Sequence, residues 1–102
     1  MTKILIVDDE PRILLLMKSL LKANGYEVET ARDGASALAV VRAGGADVVV
    51  TDLRMQPMDG LTLFKEIKAL NDAIPVVLLT AYASVETAIE AMKSGIFDYL
   101  TK

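Results

Sequence analysis

Short apolar runs alternate with longer amphipathic segments along the whole chain. The runs at 4–7, 48–50 and 76–79 consist of valine, isoleucine and leucine, which is typical of strands buried on both faces of a parallel sheet. The segments between the runs have apolar residues at helical spacing. The pattern therefore predicts five strands and four helices in strict alternation, with short connections and right-handed crossovers.

Local signals place the ends of these elements. Pro11 suits the first turn of a helix, and Asn24-Gly25 suits its end. Asp33 and Ser84 are expected as N-caps of the second and fourth helices. The predicted strands lie at about 3–7, 26–30, 47–51, 76–79 and 97–101, and the predicted helices at about 11–23, 34–43, 61–70 and 85–94.

The first helix carries a wider apolar stripe than packing against one sheet requires. Ile13, Leu16 and Leu20 are predicted to point to one side of it. If the strand order is 2-1-3-4-5, this helix alone covers one face of the sheet. We therefore expect bare apolar surface on that face, with three possible results: a homodimer, a domain swap or marginal stability.

Composition narrows the classes of protein. The chain has 102 residues, 53% of them hydrophobic, yet no apolar run is long enough to cross a bilayer, and we expect no membrane association. A net charge of −3 without a basic stripe argues against direct nucleic-acid binding. The absence of cysteine fits a cytoplasmic protein. Because the chain has no histidine, any phosphohistidine must come from another protein.

Residues suited to phosphate or metal chemistry follow four of the predicted strands. Asp8 and Asp9 follow the first strand and Asp52 follows the third. Thr80 and Lys102 end the fourth and fifth. Because parallel strands have their carboxyl ends at one edge, we expect these side chains to converge there. Carboxylates held together repel unless a cation intervenes, and oxygen ligands suit Mg²⁺.

Each of these residues also has a simpler interpretation. Asp9 suits the N-cap of the first helix, and Asp52 and Thr80 suit turns. Lys102 by itself is typical of a solvated lysine, and Tyr99 of a half-buried strand residue. These interpretations are weaker jointly, because two acidic positions end neighbouring central strands.

The motifs of several other phosphate and hydrolase sites are missing. The sequence contains no G-x-x-x-x-G-K-[ST], no G-x-G-x-x-G and no G-x-S-x-G. The remaining chemistry is formation of an acyl phosphate on an aspartate with the assistance of magnesium.

Three segments resemble bacterial response-regulator receiver domains, most closely those of the nitrogen-regulator (NtrC) class. They are ILIVDDE at 4–10, TDLRMQPMDG at 51–60 and LLTAYASVETAIEAMKSGIFDYLTK at 78–102. The resemblance implies a flavodoxin-like, doubly wound α/β fold with a parallel five-stranded sheet of order 2-1-3-4-5. It also implies that residues 1–102 form one truncated receiver domain, without the fifth helix of the family and without an effector domain.

The resemblance implies roles for the candidate residues. Asp52 would accept a phosphoryl group from a sensor histidine kinase. Asp9, the Asp52 carboxylate and the backbone carbonyl of Arg54 would bind Mg²⁺ directly. The remaining roles are indirect magnesium binding through water for Asp8, phosphoryl contact for Thr80 and Lys102, and aromatic switching for Tyr99.

One loop departs from the family pattern. Receivers usually have proline directly after the methionine that matches Met55, whereas here Gln56 intervenes and Pro57 follows. The loop length is kept, so we expect Asp52 to be unaffected. The change falls nearest the Arg54 carbonyl.

The main hypothesis is therefore a phospho-acceptor domain that controls transcription and catalyses only its own phosphorylation and dephosphorylation. Its full-length protein would carry effector domains, such as an ATPase and a DNA-binding domain. One alternative is an interaction module that works without phosphate. Another is an aspartyl-phosphate hydrolase with Asp8 as nucleophile, although such enzymes usually show D-x-D where this chain has Asp8-Asp9-Glu10.

Overall fold

The strand and helix segments fold in the alternating order that the hydrophobic pattern predicts. The structure is a computed structural model that describes residues 2–81 and 84–102; Tyr82 and Ala83 of the third motif lie outside the described residues. The strands are β1 (Lys3–Val7), β2 (Glu27–Ala31), β3 (Val48–Thr51), β4 (Val76–Thr80) and β5 (Asp98–Thr101). The helices are α1 (Pro11–Ala23), α2 (Gly34–Arg42), α3 (Gly60–Leu70) and α4 (Val85–Ser94).

The sheet has the order β2-β1-β3-β4-β5 with every neighbouring pair parallel, which confirms the predicted topology. Val7 lies opposite Thr51 in the register of β1 and β3. The chain therefore leaves these two central strands at the same edge, with Asp8 and Asp52 as the next residues. This edge is the topological position at which open α/β sheets bind their ligands.

Side-chain caps fix where the helices begin. Asp33 accepts a hydrogen bond from the Ser36 N–H at 2.8 Å, and this bond lowers the pKa of its carboxyl. Ser84 caps α4 through a reciprocal pair of bonds with Thr87, so both predicted N-caps are confirmed. The simpler interpretation of Asp9 is wrong, because the N-cap of α1 is Glu10 and its side chain makes no capping bond.

The two faces of the sheet are covered very differently. On one face, α2, α3 and α4 pack over the larger core cluster, which includes Leu5, Val49 and Leu78. On the other face, a small cluster gathers beneath α1. Among the described elements, α1 alone lies on this face. Two leucines of α1 itself, Leu16 and Leu20, are 57% and 54% exposed. The predicted bare apolar surface is confirmed.

A lysine joins the ends of two neighbouring helices. Lys68 of α3 donates a hydrogen bond to the backbone carbonyl of Ser94, the last residue of α4, at 3.3 Å. Its ammonium group also lies 5.7 Å from the centre of the Phe64 ring, within cation–π range. The carboxyl end of α4 is thereby attached to α3.

None of the helices in the described part of the chain combines the length and the apolar character needed to cross a membrane.

Candidate functional site

Three aspartates meet at the carboxyl edge of the sheet. One carboxylate oxygen from each of Asp8, Asp9 and Asp52 lies within 4.8 Å of the others. Asp8 and Asp52 are 2% and 6% exposed, whereas Asp9 faces solvent. The predicted convergence of the three aspartates is confirmed.

Lys102 supplies the positive charge among these acids. Its ammonium nitrogen lies 2.7 Å from Asp8 Oδ2 and 3.4 Å from Asp52 Oδ2, and its side chain is only 20% exposed. It is therefore not the solvated lysine of the simpler interpretation. Burial by itself lowers the pKa of Lys102, but the hydrogen bond to Asp8 and the charges of both carboxylates outweigh that effect and raise it.

The two oxygens of Asp52 have different surroundings. Oδ2 faces Lys102, whereas Oδ1 is buried and has no hydrogen-bond partner among the described residues. A buried carboxylate oxygen without a partner is costly, by roughly 1–3 kcal/mol or more. The donor set of Asp8, Asp9 and Asp52 consists of hard oxygen ligands, so this corner of the site fits a divalent cation such as Mg²⁺.

The backbone around Asp52 is held by a close approach of α3. The Gly60 N–H donates to the Leu53 carbonyl at 2.8 Å, and the Asp52 N–H donates to the Val7 carbonyl at 2.9 Å. A Cβ atom at Gly60 would overlap the carbonyl oxygen of Asp52. Sequence reasoning assigned Gly60 only to a loop, although the spacing of Asp52 and Gly60 in the second motif was the signal available.

Asp9 and Asp52 face a cavity of about 1010 Å³ that α3 and α4 also line. Its wall includes Asp9, Asp52, Arg54, Thr87 and Lys102. Arg54 is one of the residues that line the cavity, and magnesium binding by its carbonyl stays a prediction. The cavity is much larger than the three carboxylates alone would enclose, so a phosphoryl donor has room to approach Asp52.

Thr80 ends β4, and Tyr99 lies in the neighbouring strand β5. Thr80 is fully buried at the end of β4, and its carbonyl accepts a hydrogen bond from the Lys102 N–H at 3.0 Å. Tyr99 packs against the larger core cluster, half-buried, on the face opposite Leu100 as predicted. Its hydroxyl lies 2.6 Å from Oγ1 of Thr87 on α4. Sequence reasoning missed Thr87, whose only signal was its position three residues after the Ser84 cap.

The fold and the acidic site define a signalling domain of a known family. The sequence pattern of the response regulator receiver domain matches residues 4–102, and the chain belongs to that family. It is thus the receiver domain of a two-component response regulator, and the roles given to its site residues rest on the family motif.

Similarity to individual proteins agrees with this assignment. The chain is 52% identical over 99 residues to transcriptional regulatory protein ZraR of Escherichia coli (strain K12), covering 97% of this chain but 22% of that protein. A receiver domain protein from Clostridium thermocellum matches with a TM-score of 0.93 and 38% identity, over 100% of this chain and 82% of that one. TrrA from Thermotoga maritima, solved in complex with Mg²⁺–BeF, matches with a TM-score of 0.90 and 35% identity, over 100% and 87%. The resemblance to the nitrogen-regulator class is confirmed by the match to the transcriptional regulatory protein ZraR.

Proposed function

We propose that the domain accepts a phosphoryl group on Asp52 from the phosphohistidine of a sensor kinase, with Mg²⁺ bound beside it. The observation that carries this proposal is the environment of the Asp52 carboxylate. One of its oxygens faces the ammonium of Lys102, and the other is buried without a partner among the described residues. It is the buried acid that also lines the cavity.

The transfer is a simple displacement at phosphorus. A carboxylate oxygen of Asp52 attacks the phosphorus, the phosphorus–nitrogen bond breaks, and the imidazole of the kinase leaves with that electron pair. Lys102 is already within 3.4 Å of Asp52 and can pair with the incoming oxygens. Thr80, at the end of the neighbouring strand, is the second group proposed to contact the phosphoryl group.

Asp8, Asp9 and Asp52 would hold the magnesium ion, together with the carbonyl of Arg54. When bound, the ion supplies positive charge that stabilises the transferring phosphoryl oxygens. Asp8 has a further role that the geometry supports, because its Oδ2 holds Lys102 at 2.7 Å while its Oδ1 accepts the Glu10 N–H at 3.0 Å. It thereby keeps the ammonium beside Asp52.

We further propose that phosphorylation controls transcription through a region outside the receiver. The chain spans about a fifth of the length of the curated transcriptional relatives that it matches. In this proposal the domain works in the cytoplasm, receives its phosphoryl group from another protein and catalyses only its own phosphorylation and dephosphorylation.

Acetyl phosphate and MgCl₂ test the acceptor. Intact-mass spectrometry of the wild type should show the addition of one phosphoryl group. Asp52→Asn should lose it almost completely, by about 100-fold or more. Asp59→Asn is the matched control, because Asp59 also lines the cavity but caps α3, and we expect normal labelling.

Two results would overturn the proposal. Equal labelling of Asp52→Asn would place the phosphoryl group elsewhere. Absence of labelling by acetyl phosphate and by phosphorylated kinases in a folded, magnesium-loaded wild type would favour the phosphate-independent interaction module. Sustained turnover of a phosphate ester, lost on Asp8→Asn, would instead support the hydrolase hypothesis.

A further inference from the structure

The hydroxyl of Thr87 lies between the start of α4 and the ring of Tyr99. Its Oγ1 is 2.6 Å from the Tyr99 hydroxyl, although the two residues are on different elements. The same oxygen accepts the Ser84 N–H at 3.2 Å and lies 3.1 Å from the Ser84 carbonyl. The cap of α4 and the position of the tyrosine ring therefore share one atom.

The hydrogen-bonding capacity of the Thr87 hydroxyl links the cap of α4 to the Tyr99 ring. A threonine hydroxyl has one proton to donate and two lone pairs to accept with. One lone pair of Thr87 takes the Ser84 N–H, and its proton goes to the Ser84 carbonyl. The second lone pair faces two hydroxyl groups, that of Tyr99 at 2.6 Å and that of Ser84 at 2.9 Å, and the shorter distance favours Tyr99 as its donor. If Thr87 instead donates to Tyr99, the bond to the Ser84 carbonyl is lost, so the tyrosine hydroxyl decides which bonds Thr87 makes within the cap.

The ring is also placed to respond to the site. In the register of β4 and β5, Leu78 pairs with Tyr99 and Thr80 pairs with Thr101. Thr80 and Tyr99 are therefore on the same face of the sheet, on neighbouring strands and two residues apart in the register. A movement of the Thr80 side chain toward a phosphoryl group changes the space next to the half-buried ring.

We propose that Thr87 is a positioning residue that holds Tyr99 in place and transmits a change of its position to the first turn of α4. The trigger rests on the proposed function, since it is the phosphoryl group on Asp52. The coupling between Thr87 and Tyr99, in contrast, exists in the unphosphorylated protein and is measured without any phosphate.

Hydrogen exchange of the amides at residues 85–88 tests the coupling in the unlabelled protein. Tyr99→Phe keeps every atom of the Ser84–Thr87 cap, yet we expect exchange about 2- to 10-fold faster, as loss of one hydrogen bond implies. Thr87→Val should give at least the same increase. The double variant should exchange no faster than Thr87→Val alone, and Thr87→Ser should restore wild-type exchange.

A merely structural cap predicts different results. If Tyr99→Phe leaves the exchange of α4 unchanged, or if the effects of Tyr99→Phe and Thr87→Val add in full, the proposal is wrong. Thermal unfolding of each variant checks that the fold is kept.

The same measurement after acetyl phosphate treatment tests the trigger. In phosphorylated wild type, the amides at residues 85–88 should exchange as fast as they do in unphosphorylated Tyr99→Phe. Phosphorylation of Tyr99→Phe should leave the exchange rate of these amides unchanged. Labelling seen by mass without any change at residues 85–88 overturns the trigger. Absence of labelling by acetyl phosphate and by phosphorylated kinases refutes the proposed function instead and leaves the coupling result standing.

Discussion

α3 and α4 form two walls of the same cavity, but different interactions hold them in the fold. α4 buries Ala91 alone within its residues 85–94, and Val85 and Met92 stay 76% and 60% exposed. α3 is anchored by a row of buried residues. These are Gly60, Leu61, Leu63, Phe64 and Ile67.

Polar interactions add to the attachment of α4. Among the described residues they include the Thr87–Tyr99 bond, the Lys68–Ser94 bond and an exposed Lys65–Glu90 pair at 4.0 Å. Each hydrogen bond contributes about 0.5–1.5 kcal/mol to the stability of the fold, and an exposed ion pair contributes about 0–1 kcal/mol. Burial of one large apolar side chain contributes more, about 1.5–3 kcal/mol. We therefore expect a new charge in the cavity to move α4 more readily than α3.

Truncation of one apolar side chain in each wall should give the largest difference in stability between the two walls. Leu63 of α3 is fully buried, so Leu63→Ala should lower the free energy of unfolding by about 3–4 kcal/mol. Met92→Ala on α4 should change it by less than about 0.5 kcal/mol. Urea unfolding measures both, and equal losses would show that the walls do not differ in anchoring.

Gly60→Ala tests the closest contact of the α3 wall with the site. The new Cβ overlaps the Asp52 carbonyl, so we expect a loss of about 1–3 kcal/mol of stability. The displaced loop should also slow labelling by acetyl phosphate about tenfold or more. Thr62→Ala, in the same turn but exposed, is the control and should change neither. Normal labelling of Gly60→Ala would show that the acceptor does not depend on this contact.

Lys102→Met tests the charge between the two walls. It leaves Asp8 buried without its 2.7 Å partner. Because the lysine is partly exposed, we expect a loss of only about 1–2 kcal/mol near neutral pH. Millimolar Mg²⁺ should reduce this loss, since the ion supplies the missing positive charge.

The pH dependence of that loss follows from the raised pKa of Lys102. The stabilisation is complete below the ordinary lysine value of 10.5 and disappears as pH rises through the higher folded value. The difference in unfolding free energy between wild type and Lys102→Met should therefore stay constant from neutral pH to about pH 10 and narrow above it. A constant difference in strongly alkaline solution would contradict the assigned ion pair.

The sequence predicted what depends on local pattern and chain order. Continuous apolar runs located the strands, and Asp33 and Ser84 marked two helix starts correctly, because a cap is read within four residues. The resemblance supplied the strand order that brings Asp8 next to Asp52. Two features of the site depend on distances between elements. Lys102 lies closer to Asp8 than to Asp52, and Thr87 is bonded to Tyr99. No pattern along the chain encodes such distances.

The Lys68 bond to Ser94 gives α4 the geometry of a lever. Its carboxyl end is held near α3 by that bond and by the burial of Ile96, which follows the turn at Gly95. A helix of 10 residues is about 15 Å long. A rotation of about 10° around the fixed end thus moves the Ser84 end by roughly 2–3 Å. That displacement is about the length of a hydrogen bond, so a small pivot is enough to break the bond between Thr87 and Tyr99 at the other end.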